Sequence, residues 1–170
     1  MSDRAADRTL VLGLGNPIMG DDGLGLAILA RLRAGWLLPP EVELVDGGTW
    51  GMRLLPLIET ARRVLVLDAI NVGQDPGAIV VLERADLPRY FSHKLSPHQI
   101  DLREVLALAE LRGTLPPDVA ALGAQPAQVE LMAELSPILA RRVEAIAELA
   151  VARLERWGHR CARVAEVASA

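Results

Sequence analysis

One cysteine, three histidines and 3% aromatic residues leave this 170-residue chain little material for several kinds of chemistry. A single thiol cannot build an internal disulfide framework or a Cys-rich structural zinc site. Formal charges of 18 against 22, a net −4, with so few rings, argue against a nucleic-acid surface, which needs a basic stripe and stacking partners. No run of about 18 apolar residues occurs, so no membrane span is expected. The opening Met1–Arg8 segment has no apolar stretch for a signal peptide and reads as a flexible N-terminus. The expectation is a cytoplasmic globule.

What is present is aliphatic. Half of the residues are hydrophobic (51%), so Ala, Leu, Val and Ile must build the core. A chain of this length buries roughly 70% of its unfolded surface as one domain. We read residues 1–8 as the flexible N-terminus, 9–158 as a single α/β domain and 159–170 as a C-terminal tail.

Thr9–Leu14 and Arg63–Asp68 are short, nearly continuous apolar runs, the pattern of buried parallel strands. Val42–Val45, stopped by Asp46-Gly47-Gly48, and Ala78–Leu82 and Val119–Ala124 are further strands. Helical spacing marks Gly23–Arg33, Trp50–Ile58 and a long final helix over Pro137–Trp157. The best-signed helix is Pro97–Leu111: Ser96-Pro97-His98-Gln99 gives Ser at the N-cap, Pro at N1 and Gln at N3. Alternation of the two element types predicts an α/β fold in three layers, a twisted, mostly parallel sheet of about five strands between helices. Ligands of such sheets sit beyond the C-terminal strand ends.

The loop after the first strand is rich in glycine, Gly13-Leu14-Gly15-Asn16-Pro17-Ile18-Met19-Gly20-Asp21-Asp22-Gly23-Leu24-Gly25. It does not read as a nucleotide loop. The third glycine of the dinucleotide fingerprint is replaced by Ile18, and two carboxylates stand at the helix opening, where a pyrophosphate would bind. Asp21 and Asp22 have two readings: they cap the helix and suit its dipole, or one of them faces a cation.

Asp68 ends the strongest strand, as a turn former or as an active-site acid. With the first and third strands as neighbours, Asp22 and Asp68 converge on one crevice. His98, at N2 of its helix, sits in a positive dipole end that disfavours imidazolium, and neutral imidazole is the metal-binding form. On its own it reads more simply as a partly buried histidine bonded to a backbone carbonyl. Taken together, two carboxylates and one imidazole make an O,O,N set suited to a borderline divalent ion such as nickel, zinc, iron or manganese. His93 is the rival third ligand. A Cys161–His159 nucleophile lacks preorganisation in a tail, and no serine sits in a Gly-x-Ser-x-Gly elbow.

At these residues the chain resembles the nickel–iron hydrogenase maturation endopeptidases. The matching segments are Gly13-x-Gly15-Asn16 with Asp21-Asp22-Gly23-x-Gly25, then Asp46-Gly47-Gly48-Thr49 with Gly51, then Leu67-Asp68-Ala69, then Lys94-x-Ser96-Pro97-His98-Gln99. Each is moderately specific; the four in order, from about Leu10 to Gly158, are highly specific. The resemblance implies an aspartic-type endopeptidase that removes a C-terminal extension from the hydrogenase large-subunit precursor after nickel insertion. It implies metal-binding positions at Asp22, Asp68 and His98, with the nickel supplied by the substrate. It also implies a substrate-recognition segment at Asp46, Gly47, Gly48, Thr49 and Gly51. Some relatives carry Glu where this chain has Asp22, a longer reach to the same ligand. No nucleotide, nucleic acid or membrane enters.

Two alternatives differ in class. One is a nickel- and precursor-binding chaperone that leaves the precursor uncut. The other is a peptidyl-tRNA hydrolase-like esterase, whose opening the Gly13–Pro17 segment resembles but whose basic surface a −4 chain lacks.

Overall fold

The computed structural model describes residues 7–48, 50–87 and 97–168; at 97–101 and 103 it describes the backbone alone. Residues 1–6 of the expected flexible N-terminus, Thr49, and Lys94 and Ser96 of the last motif lie outside the described residues.

The elements in chain order are β1 (Thr9–Leu14), α1 (Leu24–Gly35), β2 (Trp36–Leu37), β3 (Val42–Gly48), α2 (Leu55–Glu59), β4 (Arg63–Ala69) and β5 (Ile79–Glu83). They continue with α3 (Pro97–Leu111), β6 (Asp118–Ala124), α4 (Pro137–Ala140), α5 (Val143–Arg156), β7 (Ala162–Arg163) and α6 (Val164–Val167). Five strands form one sheet in the order β3-β1-β4-β6-β5. All neighbours run parallel except β5, which is antiparallel to β6. The mostly parallel sheet of five strands is thus present.

Successive side chains of a strand point to opposite faces, so a sheet covered on both sides needs apolar residues at every position. In β1 and β4, Leu10, Leu12, Val64 and Val66 meet one helical layer, with Ile58 of α2 and Leu102, Val105 and Leu106 of α3. Val11, Leu65 and Leu67 meet the other, with Leu24, Ile28, Leu29 and Leu32 of α1 and Ile146, Ala150 and Leu154 of α5. Each such fully buried leucine or isoleucine contributes about 1.5–3 kcal/mol of transfer free energy.

Four expectations are corrected. β3 does not stop at Val45. It runs on through Asp46-Gly47-Gly48 because β1 pairs with it there, Gly13 beside Asp46 and Leu14 beside Gly48, across a one-residue bulge. At the bulge, a Cβ on Gly47 would stand 2.9 Å from Leu14 Cδ2, a contact that a shift of the leucine side chain would relieve. Trp50–Ile58 is not one helix but a 3₁₀ turn, Gly51–Leu54, leading into α2, where Pro56 occupies the first turn and displaces no helical hydrogen bond. Pro137–Trp157 is broken into α4 and α5. The Arg142 N–H turns back to Leu139 O, 2.9 Å away, and its guanidinium donates to Gly77 O at 2.8 Å, tightening the chain between the two helices.

The fourth correction concerns the tail. Residues beyond Gly158 carry β7 and α6, and β7 pairs antiparallel with β2. Trp36 of β2 lies between two guanidinium groups, Arg31 and Arg163, each 4.9 Å from the ring centroid. His159 is buried and shares a 2.7 Å hydrogen bond with Thr9 Oγ1 at the start of β1.

Candidate functional site

β1 and β4 are adjacent and in register, Gly13 opposite Leu67, so the loop after β1 and residue Asp68 emerge at one sheet edge. Helix α1 is seated directly on that edge. A Cβ on Gly25 would stand 2.1 Å from Leu67 O and 2.5 Å from Leu14 O, so only glycine lets the helix backbone rest on both strand ends. The loop ahead of α1 closes as tightly: at Gly15, with φ +118°, a Cβ would fall 1.8 Å from Asp22 O. The glycines of this loop serve close backbone packing.

The fold separates the two neighbouring aspartates. Asp22, 4% exposed in the 3₁₀ turn Gly20–Gly23, accepts a hydrogen bond from the Asn16 N–H at 3.0 Å through Oδ2. Asp21 is fully buried and faces elsewhere. Its Oδ2 accepts from Ala127 N, Gln128 N and Ser136 Oγ at 2.8, 2.9 and 2.9 Å, and its Oδ1 accepts from Ser136 N at 2.7 Å. No side chain caps α1 or the 3₁₀ turn before it, so capping does not account for either acid. Asp21 fastens the loop that follows β6 onto the loop that follows β1.

Asp68 is fully buried and its Oδ1 accepts from Ala69 N at 2.8 Å. Its backbone is crossed closely by β6: a Cβ on Gly123, its register partner, would stand 1.8 Å from Asp68 O. Past Asp68, the chain is braced by Gln125. The Gln125 Oε1 accepts from Val72 N and Gln74 N at 2.9 and 3.2 Å, and its Nε2 donates to Asn71 Oδ1 at 2.8 Å.

His98 is the second residue of α3, as expected; its side chain lies outside the described residues. The far end of α3 is fixed near the start of β4, where Thr114 Oγ1 donates to Glu59 at 2.8 Å. The helix also packs along the turn Gly51–Leu54, which follows β3. His93 lies outside the described residues.

The Asp46–Gly48 segment and Gly51 flank the same edge. The Gly15 N–H donates to Gly48 O at 3.2 Å and the Trp50 N–H to Gly47 O at 2.8 Å. Gly48 and Gly51 have φ of +40° and +55°, conformations that favour glycine. Asp46 is exposed and Trp50 is half exposed beside it.

The Cys161–His159 pair is at the other end of the sheet, where His159 bonds Thr9. Burial, then the nearby Arg63 guanidinium, pull the His159 pKa below its ordinary value. Burial, then Glu155, push the Cys161 thiol up. Neither a thiolate nor proximity to the C-terminal edge supports a nucleophile there.

Sequence reasoning missed Asp21's anchoring role, Gln125 and Ser136. One signal was legible: Ser136-Pro137 repeats the Ser-Pro start of α3, and Ser136 Oγ does accept from Leu139 N, at 3.4 Å.

Residues 27–153 match the model of the hydrogenase maturation protease (HycI) family. The chain belongs to this family. It is 39% identical over 155 residues to the hydrogenase expression/formation protein HupD of Rhodobacter capsulatus, covering 89% of this chain and 73% of that one. It is 34% identical to the hydrogenase 2 maturation protease of Escherichia coli, covering 89% and 93%. The solved structure of the hydrogenase maturating endopeptidase HybD from E. coli superposes with a TM-score of 0.89 at 32% identity, covering 94% of this chain and 99% of that one. The three-layer fold is therefore that of an endopeptidase, and family membership decides against the peptidyl-tRNA hydrolase-like reading. Among the described residues no helix is long and apolar enough to cross a membrane.

Proposed function

We propose that this endopeptidase removes the C-terminal extension of a nickel–iron hydrogenase large-subunit precursor in the cytoplasm, after nickel has been inserted. The observation that carries the reading is the pair of buried carboxylates, Asp22 and Asp68, held by loops of adjacent strands at one sheet edge in a chain of this family. The nickel arrives as part of the substrate and docks against Asp22, Asp68 and His98, an O,O,N set suited to a borderline divalent ion. Docking positions the scissile peptide and reports that the metal is loaded; the ion also polarises the carbonyl or activates water. Asp46, Gly47, Gly48 and Gly51, beside the same edge, contact the precursor together with Thr49.

The test is single-turnover cleavage of nickel-loaded precursor. Asp22→Ala, Asp68→Ala and His98→Ala are each expected to lose cleavage with the fold retained, and normal cleavage by a folded variant removes that residue from the mechanism. Nickel-free precursor is expected to stay uncut; its efficient cleavage would overturn the docking role of the metal.

A further inference from the structure

Three large apolar side chains stand out in water on the loops that follow β1 and β6. Ile18 is 49% exposed, Leu131 68% and Met132 80%. They belong to two loops that are locked together. The Met132 N–H donates to Ile18 O at 2.7 Å, Gly20 N to Ala133 O at 2.9 Å, and Asp21 N to Gln128 O at 3.0 Å, in addition to the four bonds Asp21 accepts. The patch is therefore not a loose loop tip. Met132 also has φ of +62°, the one non-glycine residue with positive φ among the described residues. A bulky side chain is disfavoured there, and the geometry projects it outward rather than into the core.

An apolar cluster held rigidly in solvent at the cost of an unfavourable backbone conformation is the signature of a contact surface. Ile18 lies in the same loop as Asp22, and the loop that carries Leu131 and Met132 is bonded to it, so the patch belongs to the loops of the candidate site. Glu130 and Glu134 are exposed around it, and the stretch 126–136 has no basic residue. We infer that Ile18, Leu131 and Met132 form a docking surface for the folded body of the protein substrate, whose facing surface is apolar with a basic rim. The inference rests on the proposed cleavage of a protein at this edge. It assigns substrate selection to the loop after β6, in addition to the segment at the end of β3.

Met132→Gly separates docking from folding, because glycine removes the side chain and relieves the positive φ. Affinity of nickel-loaded precursor, measured by biolayer interferometry, is expected to weaken by about tenfold in Met132→Gly and in Leu131→Ser. In cleavage assays KM rises by a similar factor with kcat within about twofold, and the melting temperature of Met132→Gly does not fall. Leu111→Ser, at an apolar residue 85% exposed on the end of α3, leaves affinity and KM unchanged. Unchanged affinity in both loop variants overturns the inference, as does self-association of the wild type that Met132→Gly abolishes. If the wild type binds but never shortens the precursor, the proposed cleavage fails, and the affinity of the loop variants still decides the patch.

Discussion

Asp21 accepts both hydrogens that Ser136 can donate, from its backbone N–H at 2.7 Å and its hydroxyl at 2.9 Å. With Ala127 N and Gln128 N also donating to it, this buried carboxylate is an acceptor on all sides. Asp21→Asn must turn an NH₂ toward at least one N–H or O–H donor. The expected cost is about 2 kcal/mol, a fall of roughly 6 °C in melting temperature. Thermal unfolding by circular dichroism checks it.

The neighbouring Asp22 is expected to behave in the opposite way. Asp22→Asn keeps the shape that accepts from Asn16 N but loses the negative charge, which the proposed docking of the metal requires. Its melting temperature is expected to fall less than that of Asp21→Asn, while cleavage falls by at least about a hundredfold. Asp22→Glu retains the carboxylate and is expected to keep cleavage well above the Asn variant. Rates for the two variants on one precursor preparation decide whether charge or length matters at this position.

Gly25 touches two strand ends at once. In Gly25→Ala the new methyl meets backbone oxygens, Leu67 O at 2.1 Å and Leu14 O at 2.5 Å, which cannot swing aside as a flexible side chain would. Helix α1 must lift from the edge. A loss of about 3 kcal/mol is expected, read from urea unfolding. Cleavage is expected to fall further than stability alone explains, because Asp22 lies two residues before the start of this helix.

His159 sets a pH dependence remote from the site. Its pKa is lowered by burial, so the folded state resists protonation while the unfolded chain takes up a proton near the ordinary value of 6.5. The contribution of the neutral ring is therefore fully present above that value and is lost as pH falls through it. Unfolding free energy is expected to decline between about pH 7 and about pH 5, and His159→Gln, which cannot titrate, is expected to flatten that slope. Equal slopes for the two proteins would exclude this source.

Much of the frame was readable because burial on both faces writes itself into β1 and β4 as unbroken apolar runs. The start of α3 was readable because Pro97 ends one conformation and begins another. The extension of β3 was not, since Asp46-Gly47-Gly48 has the composition of a turn, and only pairing with β1 makes it a strand. β2 and β7 are two residues each, too short for any periodicity. The burial of Asp68 at the end of the apolar run Val64–Leu67 was legible from its position. The anchoring role of Asp21 could not be read, because its donors lie 106 to 115 residues away in sequence. Gln125 was invisible for the same reason: its partners belong to the loop after another strand.

The clasp between Asp21 and the 127–136 loop makes selectivity portable. One carboxylate fixes where that loop sits, while the next residue along the chain, Asp22, is held on the other loop by Asn16 N. Evolution can then rewrite the outward residues of the loop, Leu131 and Met132 among them, without retuning the reacting centre. Paralogues serving different precursors would diverge at these positions while keeping the acid that anchors them. A graft of residues 127–135 from one such protease to another, with Asp21 and Ser136 left in place, is then a small exchange of cargo rather than a redesign.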